Sequence, residues 1–230
     1  MKILYIIPAR GGSKGIPHKN IKPLNGKPLI YYTIDVARQL TSDENICVSS
    51  DDAEIIQAVE DYGLKVPFKR PDHLSTDTAT TNDVLLHALN FYQSKGINYE
   101  VIILLQPTSP LRTVQHVREA MDLYDNKLDM VVSVKKSHAA SVLCFENDNG
   151  YLEFCFNKSG SRRQDFSSYY EYNGAIYIIN VERLKEKGLS SFTKKKKYVM
   201  DELTSFDIDI PLDLIIVESI LKMKNSNLNV

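Results

Sequence analysis

Short apolar runs alternate with stretches of helical periodicity from Lys2 to Val134, and that alternation limits the chain to few folds. Lys2 to Ile7, Ile46 to Ser50, Leu64 to Phe68, Val101 to Leu105 and Met130 to Val134 are too short for free-standing helices and rich in β-branched residues. They read as buried strands, with Val101 to Leu105 the most hydrophobic and central. Between them, Leu29, Ile30, Thr33, Ile34, Ala37 and Leu40 recur at helical spacing. So do Ile55, Ile56, Val59 and Tyr62 ahead of Gly63, then Val84, Leu85, Ala88, Leu89 and Tyr92, and then Val114, Val117, Met121 and Tyr124. Thr80 with Asp83 has the spacing of an acidic capping box, and Thr113 is placed to cap the next helix. Strands alternating with helices over short connections imply an α/β, Rossmann-like fold: a mostly parallel central sheet with helices on both faces. In such sheets the strand-to-helix loops converge on one edge, where ligands bind.

The pattern breaks near Lys135. Val142 to Phe145 and Tyr151 to Phe156 flank Asn147-Asp148-Asn149-Gly150, which reads as a β-hairpin. Residues at about 135–172 are too few to hold a core and read as an inserted, β-rich dimerisation arm within one domain spanning 1–230. Their Phe and Tyr content suits packing on a second copy of the chain. Ala175 to Val181 returns to strand, the Lys194 to Lys197 run reads as a solvated loop, and Tyr198 to Met200 as a short strand. A closing helix follows Pro211, with Leu212, Ile215, Ile216, Ile220 and Met223 expected on its buried side. A formal net charge of −1 gives no basic field for nucleic acid. No apolar run approaches a membrane span, no leader pattern opens the chain, and Cys47, Cys144 and Cys155 lack metal spacing and read as core residues. A soluble, cytoplasmic protein is expected. The five histidines are scattered and read as surface or loop residues.

The chemistry concentrates in two places. The first strand runs into Arg10-Gly11-Gly12-Ser13-Lys14-Gly15, continuing through Pro17, Lys19 and Asn20. Glycines let backbone N–H groups approach a ligand, and the basic side chains suit a polyphosphate. The loop matches neither the Walker pattern nor GxGxxG. The second place is Asp207-Ile208-Asp209. Alternate residues of an extended segment share a side, so both carboxylates can face one ligand, and two aspartate oxygens with water and phosphate are the usual way Mg²⁺ is held; the alternative is that one of them caps the last helix. Gln106 either reads a base or hydroxyl or is a turn amide, and Arg112 either contacts ligand or forms a structural ion pair.

Taken together, Ile7-Pro8-Ala9-Arg10-Gly11-Gly12-Ser13-Lys14-Gly15-Ile16-Pro17 with Lys19-Asn20, Ser50-Asp51, Arg70-Pro71, Thr76-Asp77-Thr78-Ala79, Leu105 to Arg112, Arg163-Gln164, Asn173 to Tyr177 and Asp207-Ile208-Asp209 resemble the N-acylneuraminate cytidylyltransferases. The resemblance runs through essentially the whole chain. It implies a nucleotidyltransferase fold, a homodimer whose arm reaches the neighbouring active site, and Mg²⁺-dependent transfer of CMP from CTP to the anomeric hydroxyl of a nine-carbon (nonulosonic) acid. It implies that Arg10, Gly11, Gly12, Ser13, Lys14, Asn20, Arg70 and Thr81 bind nucleotide. Gln106, Arg163, Gln164, Asn173 and Tyr177 would contact the sugar acid. Asp207 and Asp209 would hold the metal, with Lys14, Asp209 and Arg10 central to catalysis. The Tyr-Ala-Ser-Thr-Arg-Leu-Pro type of continuation seen in enzymes for the eight-carbon acid Kdo is absent. The chain departs from the family at Ser141, Leu143, Arg162 and Ser191-Phe192, all on the sugar side; for Ser141 and Leu143 the alternatives are that Lys135 or Lys136 substitutes or that the carboxylate is held differently. Sialic, legionaminic and pseudaminic acids and Kdn therefore all remain substrates to consider. The alternatives are another nucleotide, or a binding module without catalysis.

Overall fold

The computed structural model describes residues 1–137, 142–155 and 168–225. Among these, the strands are β1 (Ile3–Pro8), β2 (Pro23–Leu24), β3 (Lys27–Pro28), β4 (Ile46–Ser49), β5 (Val101–Leu104), β6 (Met130–Lys136), β7 (Cys144–Glu146), β8 (Leu152–Phe154), β9 (Tyr170–Asn180) and β10 (Lys195–Val199). The helices are α1 (Leu29–Arg38), α2 (Ala53–Asp61), α3 (Thr81–Ser94), α4 (Val114–Asp122), α5 (Val181–Lys187) and α6 (Pro211–Asn225). The main sheet has the order β10-β6-β9-β5-β1-β4. Its β4–β1, β1–β5 and β6–β10 pairs are parallel, and β9 runs antiparallel between β5 and β6. The sheet is therefore mostly parallel with one reversed strand. β9 continues past the sheet edge and pairs with the far end of β6 through Lys136↔Tyr170, with a register irregularity between Val132 and Val134. That extension builds a second wall beyond the carboxyl edge.

Alternation along β1 explains the two-sided core. Tyr5 and Ile7 face a cluster with α1, α2 and α4, while Leu4 and Ile6 face a cluster with α3 and α5. Each fully buried Ile or Leu of these strands contributes about 1.5–3 kcal/mol from removal of apolar surface from water. A third cluster lies at the carboxyl edge. There Ile16 of the glycine loop, Leu24, Leu111 and Ile208 pack on Val217 and Ile220 of α6. It is this cluster that brings the first and last motifs together.

The helix signals hold. Asp52 accepts from the amides of Glu54 and Ile55, and the Thr80/Asp83 box is formed. Thr113 caps α4 with His116 as its reciprocal partner. His116 and His87 thus lie on helices rather than in loops. Several expectations need correction. Leu64 to Phe68 is not a strand: Pro67 cannot donate to a ladder, and only an isolated Ser50–Lys69 bridge forms. The lysine run is not a loop but most of edge strand β10, where charged side chains discourage pairing with another chain. Cys47 is core, but Cys144 and Cys155 are exposed in or beside the hairpin. In α6, Leu212, Ile215 and Met223 point outward, while Val217 and Ile220 are buried. An almost uniformly apolar stretch carries no face preference, so the third cluster chose the face.

Candidate functional site

β1 continues one step past Pro8, where the amide of Ala9 donates to Ser49 O at 2.9 Å, and the chain then leaves the sheet edge as the glycine loop. A Cβ at Gly15 would overlap the carbonyl oxygen of Asp209. Glycine there lets the loop lie directly on the Asp207–Asp209 segment. Lys19 locks the contact, its Nζ donating to Ile208 O at 2.6 Å and to Asp209 Oδ1 at 3.1 Å. Asn20 braces the loop from within, donating from Nδ2 to Arg10 O at 3.0 Å.

Between this loop, the 70–81 segment and the start of α3 lies a cavity of about 590 Å³. Arg10, Ser13, Lys14, Asn20, Arg70, Thr81, Gln106 and Asp209 all line it. Gly11 and Gly12 do not; the Gly11 amide is given to Asp51 Oδ1 at 3.2 Å. Arg70 is buried, and its guanidinium donates to Ser49 Oγ at 3.0 Å and to Ser49 O. It holds the end of β4 as part of the cavity floor, and burial lowers its pKa. Asp77 pairs with both Arg10 (3.0 Å) and Lys14 (2.7 Å).

A second cavity of about 960 Å³ adjoins, and Gln106 lines both. Its walls include Lys135, Lys136, Asn173, Gly174, Tyr177 and Asp207. Lys135 pairs with Glu171 at 3.4 Å. Burial, reinforced by the Asp207 charge, pushes the Tyr177 hydroxyl up to about 12, so it stays a neutral donor. Gly174 has φ 74°, and a Cβ there would sit 2.9 Å from Gln106 Oε1. Asn173 is buried in the wall: Oδ1 accepts from Ser133 Oγ at 2.6 Å and Nδ2 donates to Ser205 Oγ at 2.9 Å. Its amide thus joins β9 to β6 and to the segment before Asp207.

Arg112 ties both cavities together. It is buried, donating to Gln106 O (3.1 Å), Ala175 O (2.8 Å) and Thr33 Oγ1 (2.7 Å). Burial pushes its pKa down to about 9. Among the described residues it clamps the Gln106 turn to β9 and α1 through neutral acceptors.

The two aspartates, expected to face one ligand together, open towards different cavities. Asp209 is exposed to the first cavity and Asp207 is half-buried against the second. Burial, with a further push from Asp209, raises the Asp207 pKa, although hydrogen bonds from Thr108 and Ser109 oppose it. The capping alternative goes elsewhere: Asp213 Oδ2 takes the amides of Asp209 and Ile210, both at 2.9 Å. Two hard oxygen donors that repel one another suit a divalent cation such as Mg²⁺, which takes its other positions from water and phosphate. No group of three or more His, Cys, Asp or Glu side chains gathers among the described residues. Arg163 and Gln164, like Ser141 and Arg162, lie outside the described residues. Sequence reasoning missed the anchoring roles of Lys19 and Arg112 and the pairing of Asp77. Lys19 sits in the basic loop, but nothing local signals a partner at Asp209.

The sheet, the basic glycine loop and the paired cavities define an α/β protein of the nucleotidyltransferase type. Residues 4–228 match the cytidylyltransferase family model, and the chain belongs to that family. It is 33% identical over 236 residues to the CMP-N,N'-diacetyllegionaminic acid synthase of Legionella pneumophila, covering 99% of this chain and 100% of that protein. It is 39% identical over 216 residues to the N-acylneuraminate cytidylyltransferase of Streptococcus agalactiae serotype V, covering 91% of this chain but 50% of that protein. The chain thus spans about half the length of that relative, and 53% of a similar Escherichia coli one. The pseudaminic acid cytidylyltransferase of Campylobacter jejuni is 32% identical, with 99% of both chains covered. The fold is shared with a solved CMP:2-keto-3-deoxy-manno-octonic acid synthetase complexed with CTP (TM-score 0.73, 19% identity, 97% of this chain and 100% of that one). Among the described residues no helix is long and apolar enough to cross a membrane.

Proposed function

We propose that this chain is a Mg²⁺-dependent cytidylyltransferase that transfers CMP from CTP to the anomeric 2-hydroxyl of a nonulosonic acid and releases pyrophosphate. The observation that carries the reading is the pair of adjoining cavities that meet at Gln106, one lined by the basic loop and the other by Lys135, Lys136 and Tyr177. In this reading Arg10, Ser13 and Lys14 hold the triphosphate, and the first turn of α3 at Thr81 borders the nucleoside. Asn20 and Arg70 act through the loop and floor they brace. The sugar acid lies in the second cavity, its carboxylate near Lys135 and Lys136, with Gln106 and the Tyr177 hydroxyl oriented by the walls. The oxygen of the 2-hydroxyl bonds to the α-phosphorus as the bond to pyrophosphate breaks, its proton passes to solvent, and Arg10 and Lys14 stabilise the charge that gathers on the leaving group. Asp209 and Asp207 would hold Mg²⁺, whose chemistry is to neutralise phosphate charge.

The relatives named for sialic-, legionaminic- and pseudaminic-type substrates support the reaction class. The legionaminic and pseudaminic relatives match along their full lengths, so both acids belong beside N-acetylneuraminic acid in any test. The hairpin exposes Val142, Phe145, Leu152 and Phe154, and α6 exposes Leu212 and Ile215. Apolar surface of this kind suits a homodimer in which the arm carrying Arg163 and Gln164 reaches the partner's sugar cavity. Pyrophosphate release with CTP, Mg²⁺ and a panel of nonulosonic acids tests the proposal. Turnover with at least one acid is expected, and no turnover with any of them sinks it. UTP, ATP and GTP in place of CTP check the nucleotide, and size-exclusion with light scattering checks the dimer.

A further inference from the structure

The two cations of the phosphate cradle are already paired, and with the same carboxylate. Asp77 Oδ1 lies 3.0 Å from Arg10 Nη1 and Asp77 Oδ2 lies 2.7 Å from Lys14 Nζ. Each oxygen of one anion takes one cation, as two non-bridging phosphate oxygens would. The reach is built in. The 70–80 segment is fixed at one end by buried Arg70 and at the other by the Thr80/Asp83 capping box. Between them Thr76 Oγ1 accepts from the amide of Ala79 at 3.2 Å and meets Thr78 Oγ1 at 3.0 Å, forming a turn that presents Asp77 across the cavity mouth. Arg10 Nη1 also donates to Thr76 O at 3.4 Å. All three charged side chains line the same cavity.

We infer that Asp77 is an internal competitor for the polyphosphate: it occupies the cradle when ligand is absent, must leave when CTP binds, and returns as pyrophosphate departs. This rests on the cradle assignment of Arg10 and Lys14. The physical reason is charge. A carboxylate and a triphosphate cannot both pair with the same two cations without like-charge repulsion. The Lys14 hydrogen bond, then that of Arg10, holds the Asp77 carboxyl below its ordinary range, so it is ionised at neutral pH. The pairs are half exposed, which makes the contact weak enough for a more highly charged ligand to displace. An internal competitor weakens every ligand that uses the cradle by one common factor and leaves ligands without phosphate untouched. It therefore sets the affinity for CTP and pyrophosphate together, keeping the product from lingering.

The opposite role is a brace that holds Arg10 and Lys14 in position while the nucleotide is bound. The two roles differ in sign. Calorimetric titration of CTP, inorganic pyrophosphate and cytidine into the wild type, Asp77→Asn and Asp77→Glu separates them. Asp77→Asn is expected to tighten CTP and pyrophosphate by a common factor of roughly three to ten, with cytidine unchanged. Asp77→Glu, which keeps the charge, should stay closer to the wild type. Unchanged or weaker CTP and pyrophosphate binding in a folded Asp77→Asn overturns the inference, as does equal tightening of cytidine. If pyrophosphate binds neither protein, the cradle assignment falls as well, so the two failures are told apart. Asp77→Ser gives a second reading of the same sign should Asp77→Asn prove unstable.

Discussion

The two cavities meet at Gln106 but are made in different ways. The first cavity is assembled from loops at the edge of the sheet: the exit of β1, the 70–80 segment and the capped start of α3. Its parts are local, and each carries its own signal in the chain. The second cavity is walled by the overshoot of β6 and β9 beyond the sheet and by the segment before α6. In its wall Lys135 pairs with Glu171, and the polar amide Asn173 is spent on packing. The difference teaches that the first cavity rests on turns and caps at the edge of the sheet, whereas the second rests on long-range pairing of β6 with β9.

Substitutions should divide along that line. The largest effect is expected at Asp209 in the first cavity. Asp209→Ala should lower kcat about a thousandfold with the Tm within roughly 2 °C of the wild type, because the carboxylate is exposed and its ion pair with Lys19 is a surface one. Steady-state kinetics with a thermal melt checks this; a large fall in Tm would assign Asp209 to the fold instead. Arg112→Leu should come next and spare neither cavity. It strands the carbonyls of Gln106 and Ala175, so a stability loss of about 2–4 kcal/mol is expected, with KM rising for both substrates. Chemical denaturation and kinetics on both substrates measure it, and an effect on one KM alone would break the idea of a shared clamp. Gly174→Ala should discriminate. Positive φ and the close approach to Gln106 predict a loss of about 1–2 kcal/mol, with the sugar KM rising roughly fivefold and the CTP KM nearly constant.

The smallest effect on function concerns the start of β6, at the end of the strand away from the second cavity. Asp129 is buried, which alone would raise its pKa. Lys187 at 2.9 Å and the amides of Thr193 and Lys194, both at 2.8 Å, overcome this and hold it at about 2. Its stabilisation is complete above the ordinary carboxylate pKa and is lost as pH falls towards 2. Asp129→Asn should therefore lower the Tm at pH 7, and the deficit should shrink on acidification from about pH 4 downward while both KM values at neutral pH stay unchanged. A deficit that does not depend on pH would show that the amide fails for steric reasons.

Much of this was legible in the sequence because it is governed by local rules. β1 and β4, the periodic helices α1 to α4, the Thr80 and Thr113 caps and the hairpin around Asn147–Gly150 each follow from spacing and turn chemistry within a few residues. The basic loop announced itself by following the first buried strand. What the sequence left open needed partners far along the chain. Leu64 to Phe68 had strand composition but Pro67 and an edge position; the lysine run had loop composition but a place beside β6. The buried face of α6 depended on where Ile16, Leu24 and Ile208 converge. Asp207 and Asp209 were visible as a pair, but their opening towards neighbouring cavities, and the contact of Asp209 with Lys19, was decided by the packing of Gly15 on the Asp209 backbone. Hydrophobic period and capping act over one turn of chain, so the sequence alone determined the elements and the basic loop. Side-chain pairing between residues 10 and 77, 19 and 209, or 112 and 175 has no local signature, so the cradle's internal anion, the shared clamp and the second cavity were decided by tertiary structure.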